Sequence, residues 1–343
     1  MGCNVKIYLT YEPKHSIEVL TMSERFVETN PDLVEQIRSL YCIYEAIQWA
    51  VPQTQENFGS GHVFPIVESW QEMQVSYNLC MFGFYKQAMV SLRSAFELGL
   101  LNVYWNLNDN GHLVIKNWLQ STENTPRFKD IWKQLESDPR ILMFQKSHDV
   151  KSQLKQLGYL HEYVHTAGYY YSSEFKRIKT NYQTFDERAF RTWLKSASEV
   201  TKMVCLLHVI KYPVIVIRSD YDAKFGIDRP LCVMDEHIIQ SIEKLLGGNY
   251  MKTVYEIANE DPTVKWLKSL PDLSEDERDN TIIEYDKVQI ERMGLYEWLE
   301  KEKKGYGDEW ESDKIQARIE LLSKWAHEKG FLRPMMDRFS NED

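Results

Sequence analysis

The sequence predicts an all-α protein: a multi-helix bundle with a small N-terminal β element and a helical, acidic C-terminal region. Three observations lead there. Apolar residues recur at steps of three and four from Asn30 to Gly330. The segments so marked are bounded by helix starts and stops such as Asn30-Pro31, Ser274-x-x-Glu277, Gly247-Gly248 and Gly330. Strict apolar–polar alternation occurs only near the beginning of the chain.

In chain order, Val5, Ile7 and Leu9 alternate with Lys6, Tyr8 and Thr10, and Ile17-Glu18-Val19-Leu20 offers a hairpin partner. Two short strands are not stable alone, so residues 1–30 are expected as a β element packed on a larger core. Residues 31–212 read as one helical domain. Its first helix carries Leu33, Ile37, Leu40 and Tyr44 and ends at Pro52. A long helical region follows from about Ile66 to Leu107, with Gly83 as the place for a bend or break, and Asn108-Asp109-Asn110-Gly111 stops it. Shorter helices are expected near 112–120 and after Thr125-Pro126. The spacing of Val150, Leu154, Leu157, His161, Val164 and Gly168 predicts one helix over about 149–167. Thr184-x-x-Glu187 reads as a capping box opening a helix that Pro213 ends. A boundary is expected near 212–232, and 233–343 reads as an acidic helical domain.

Composition bounds the function classes. The chain has 343 residues, 43% hydrophobic and 27% charged, an ordinary globular balance. No apolar run reaches the roughly 18 residues that span a bilayer, and the first residues carry no signal-peptide core, so a cytoplasmic protein without membrane contact is expected. Five scattered cysteines without a CxxC suit reduced thiols. Residues 221–343 hold 28 acidic and 18 basic residues and so carry the whole net charge of −10, while 1–220 is balanced. An acidic region repels phosphate backbones. Any RNA contact is therefore expected within 1–220, and the acidic C-terminal region is left as a surface for a protein partner.

The most informative stretch is His161-Glu162-Tyr163-Val164-His165, an H-E-x-x-H pattern. On one helix, imidazoles at i and i+4 can reach a single zinc ion, with Glu162 as general base. A zinc-dependent hydrolase is the alternative this pattern offers, although no third ligand follows at a recognised spacing. On the expected helix, His161 lies within about 20° of the apolar stripe and His165 about 60° from it, so both point inward, while Glu162 lies about 120° round.

Two segments carry a resemblance. Gly83-Phe84-Tyr85-Lys86-Gln87-Ala88-Met89-Val90-Ser91-Leu92-Arg93-Ser94-Ala95-Phe96-Glu97 resembles the "G-x-Y-x-x-A-x-x-x-L-R-x-x-x-E" helix of HEPN-like and abortive-infection-like bacterial helical proteins. Tyr159-Leu160-His161-Glu162-Tyr163-Val164-His165-Thr166 is similar to their later aromatic-x-x-His helix. Together the two anchor residues 65–212. The resemblance implies an all-α core that often dimerises, in proteins that cut RNA as toxins or act in phage defence, either as metal-independent endoribonucleases or as non-catalytic binding scaffolds. The positions carried over are Arg93, Glu97, His161 and His165. Active members carry an Arg, then four to six intervening residues, then the His, on one helix; this chain has Lys155 at such a spacing ahead of His161 instead, and Lys lacks the planar fork that grips a phosphate.

Arg93 and Glu97 are i and i+4 on one helix and face the same way. They form either a charge pair that satisfies itself or, with His165, a polar centre. There Arg would bind phosphate, Glu would fix the imidazole tautomer and His would move the proton. Tyr169-Tyr170-Tyr171 beside Lys176, Arg177 and Lys179 adds aromatics interleaved with cations, a combination that stacks bases and holds phosphates.

Overall fold

The computed structural model describes residues 13–51, 61–107, 112–165, 167–172, 183–227, 230 and 232–334. All regular elements among them are helical. Seventeen α-helices, numbered in chain order, are α1 (Pro13–Glu28), α2 (Pro31–Ile47), α3 (Phe64–Met81), α4 (Tyr85–Leu107), α5 (His112–Leu119), α6 (Phe128–Leu135), α7 (Pro139–His148), α8 (Val150–Gln156), α9 (Tyr159–His165), α10 (Glu187–Lys211), α11 (Tyr221–Phe225), α12 (Glu236–Leu246), α13 (Gly248–Glu260), α14 (Pro262–Ser269), α15 (Glu275–Met293), α16 (Leu295–Tyr306) and α17 (Asp313–Lys329). The described helices include none long and apolar enough to cross a membrane.

The N-terminal region departs from the expected hairpin. The alternating stretch 5–9 lies outside the described residues, and its expected partner at 17–20 belongs to α1. Val19 and Ser23 are buried and Leu20, Phe26 and Val27 partly so, a period of three to four that helix, not strand, satisfies.

Packing divides the chain into two units: residues up to 218 together with 231–266, and residues 219–230 with 267–343. The C-terminal domain expected over 233–343 is thereby redrawn. Helices α12 and α13 belong to the first unit, where Ile239, Ile242, Leu246, Met251, Val254 and Ile257 join the main core. Their apolar stripes pack on that core.

At the centre of the first unit is α4, which packs on α3, α6, α9 and α10. It is apolar on several sides because it has neighbours on several sides: Ala88, Leu92, Ala95, Leu100 and Val103 are all buried. Helix α10 lies against it with Trp193, Val200, Val204 and Leu207 inward. Gly99 permits this approach, since a Cβ there would stand 2.7 Å from a Val204 methyl. Two buried polar groups are partnered across helices: Trp193 Nε1 donates to Ser76 Oγ at 2.8 Å and Ser76 Oγ donates to the Ala88 carbonyl at 2.7 Å.

The helical region expected over 66–107 is broken at Gly83, the place the sequence offered for it. Gly83 ends α3 with φ +77°, and a Schellman closure follows: Gly83 N–H reaches the Cys80 carbonyl at 2.9 Å and Phe84 N–H the Leu79 carbonyl at 2.8 Å. A Cβ at Gly83 would also stand 2.6 Å from the Thr184 carbonyl oxygen, so both the conformation and the close approach require glycine.

The start of α10 also differs from expectation. Asp186, not Thr184, is its N-cap, its carboxylate accepting from Ala189 N–H at 2.7 Å. The box at Ser274 and Glu277 forms as read, opening α15. In the second unit, α15, α16 and α17 enclose a small core of Ile290, Leu295, Trp298, Leu322 and Ala326.

Candidate functional site

Arg93 and Glu97 sit on α4 one turn apart. Arg93 donates from Nε at 3.0 Å and from Nη2 at 2.8 Å to a single oxygen, Oε1 of Glu97. The guanidinium is half-buried and the carboxylate exposed. A pair of this kind contributes about 0.3–0.5 kcal/mol, so it orders two side chains more than it stabilises the fold.

The motif histidines lie on α9, which packs against α4. The expected continuous helix over 149–167 is interrupted. Asp149 adopts a left-handed conformation at φ +45° between α7 and α8, and a turn at Leu157-Gly158 separates α8 from α9. Up to Leu157 the expected stripe is the buried one: Val150, Leu154 and Leu157 are all inside. Beyond the turn the phase slips by one residue, and Leu160 and Tyr163 are buried where His161 and Val164 were expected. Burying each contributes roughly 1.5–3 kcal/mol, enough to fix the rotation of so short a helix.

That slip reverses the expected facing. His161 and His165 are exposed and Glu162 is half-buried. The two imidazoles lie beside each other, ring centroids 4.2 Å apart at 57°. No hydrogen bond, ion pair or ring contact among the described residues joins them to Arg93 or Glu97. The four carried-over residues thus pair two and two, with no direct contact of these kinds between the pairs among the described residues.

The turn that follows α9 is aromatic and exposed. Tyr169 is 67% and Tyr170 53% exposed, while Val164 is 38% exposed on α9 itself. Tyr171 packs edge-on against Tyr163 at 5.1 Å and against Tyr170 at 5.0 Å, anchoring the tyrosine turn to the helix. Burial pushes the Tyr163 phenol up to about 12, so it stays protonated and serves as packing rather than as an acid–base group. Tyr159 ties the start of α9 to α10, its hydroxyl donating to Ser196 Oγ at 2.6 Å. Lys176, Arg177 and Lys179 lie outside the described residues.

Zinc fits this site poorly. The histidines can supply two ligands, yet no group of three His, Cys, Asp or Glu side chains able to hold a metal is assembled among the described residues. Of the two carboxylates available from the sequence, Glu174 lies outside those residues and Glu187 is engaged by Arg191 at 2.9 Å.

Sequence reasoning overlooked a set of cations on α10. Arg188, Arg191 and Lys195 are exposed and, with Thr192, follow i, i+3, i+4, i+7 along one face. That spacing was present in the sequence, but attention to the apolar side of this helix passed over it. Neither family models, nor curated proteins, nor solved structures give a match to this chain.

Proposed function

We propose that this chain is a HEPN-like helical protein that binds single-stranded RNA on the exposed face of α9 and the tyrosine turn after it, acting as a binding scaffold of the kind associated with phage defence. The observation that carries this reading is the exposure of His161 and His165, side by side on α9, together with that of Tyr169 and Tyr170 in the turn that follows it. Exposed unsaturated rings on α9 and on the turn after it, the turn being tied to the helix through Tyr171 and Tyr163, suit the stacking of unpaired bases. Binding is favoured over cutting because Arg93 spends two donors on Glu97 and neither touches an imidazole. Metal-independent cleavage would need a phosphate grip and a proton carrier on the same atoms. The surface belongs to the charge-balanced part of the chain, where phosphate is not repelled.

The test is affinity for a labelled single-stranded oligoribonucleotide, with recovery of the RNA intact. Tyr169→Ala/Tyr170→Ala should weaken binding by about tenfold or more, the loss of at least one stacked base. His165-dependent cleavage products would replace the scaffold reading with a nuclease.

A further inference from the structure

We infer that the groove on α10 lined by Glu187, Arg188, Arg191, Thr192 and Lys195 binds the phosphodiester backbone of the single strand whose bases stack on α9 and the tyrosine turn. This deepens the RNA reading above and rests on it.

The groove has a volume of about 500 Å³ and is open to solvent. Three cations line it against one carboxylate, in a chain whose net charge is −10. That carboxylate is already occupied: Glu187 Oε1 accepts from Arg191 Nε at 2.9 Å. The same guanidinium lies over the Phe26 ring, 5.1 Å from its centroid, and Phe26 is itself held by Phe185 at 5.3 Å and Phe190 at 5.4 Å. Arg191 is therefore fixed from two sides. Its Nε is spent and both Nη groups remain for a ligand, the fork that phosphate oxygens accept from. Ordering this side chain in advance removes a cost that a loose surface arginine pays on binding.

Arg188 and Lys195 flank it one turn to either side, and neither makes an ion pair among the described residues. Lys195 stays without an ion pair although Glu199 lies one turn on, and exposed cations so placed are available to an external anion. From Arg188 to Lys195 the helix rises roughly 10 Å, so the set forms a stripe rather than a point, as a chain of phosphates requires. Thr192 donates its hydroxyl proton to the Arg188 carbonyl at 2.7 Å and contributes a wall, not a donor. The stripe ends beside Ser196, the residue that receives the Tyr159 hydroxyl. The helix that carries the cationic stripe and the helix that carries the exposed rings touch at that bond, and a backbone-binding stripe with a stacking platform is the combination that holds single strands.

The experiment is the salt dependence of affinity for a labelled oligouridylate, measured by fluorescence anisotropy. Full-length wild type is compared with Arg188→Gln/Lys195→Gln and with Arg191→Lys. All three side chains are exposed, and circular dichroism checks that each variant keeps its helix content. Removing two phosphate contacts should weaken binding at low salt by tenfold or more and lower the slope of log affinity against log salt by about 1.4. Arg191→Lys keeps the charge and loses the fork, so it should weaken binding with the slope nearly unchanged. Wild-type affinity and slope in the double variant would overturn the groove while leaving the RNA reading in place. Absence of RNA binding by wild type would overturn both.

Discussion

Nε2 of His208 accepts a hydrogen bond from the side-chain amide of Asn102 at 2.9 Å, joining α10 to α4 where both residues are fully buried. The ring is held at its other nitrogen too, Nδ1–H donating to the Val204 carbonyl at 2.8 Å. With both nitrogens so used, the imidazole is neutral, and Asn102 Oδ1 has no hydrogen-bond partner among the described residues.

Acid should therefore destabilise the first unit through His208. Burial pulls its pKa from an ordinary 6.5 down to about 4, only partly opposed by the Val204 hydrogen bond. The unfolded chain takes up the proton first, so stability falls as pH drops from about 6.5 to about 4, by on the order of 3 kcal/mol. Urea midpoints followed across that window should show the loss, and His208→Gln should flatten it. An equal slope in both proteins would place the acid sensitivity elsewhere.

The second unit should respond in the opposite sense. Burial pushes the Asp286 carboxyl up to about 6; Arg318 opposes this without cancelling it, and the Glu302 carboxylate adds to it. The Arg318 Nε to Asp286 Oδ2 distance is 3.3 Å, yet neither atom is aligned for a hydrogen bond. The folded state here holds the proton more tightly than the unfolded one, so stability declines as pH rises from about 4 to about 6. Asp286→Asn should slow amide exchange in α15 at neutral pH and remove most of the change below it. Unaltered exchange would contradict a strained carboxylate.

How far the sequence was legible depends on what each pattern averages over. Long capped helices were readable: α2 from Asn30-Pro31, α15 from its capping box, and α12 from its glycine stop. The stripe Val150–Leu154–Leu157 was readable as well. What failed was continuity. Two residues at Leu157-Gly158 rotate everything after them by one position, about 100°, and that turned His161 and His165 from core to surface. A periodicity assumed across a turn gives the wrong face, and Gly158 was the available warning. The domain boundary failed for a different reason: α12 and α13 carry stripes that state a need for burial but not the partner that meets it. Tyr85–Glu97 and Tyr159–His165, parts of the two resembling segments, fall on α4 and α9, which pack together, and Arg93 is engaged by Glu97.

The most direct test of an RNA-binding surface is to ask which residues touch RNA. Single-stranded RNA carrying 4-thiouridine, crosslinked to the full-length protein by ultraviolet light and mapped by mass spectrometry, should mark peptides containing His161, His165, Tyr169 and Tyr170. Crosslinks confined to the acidic region beyond 267, or none at RNA concentrations that saturate binding, would contradict the account.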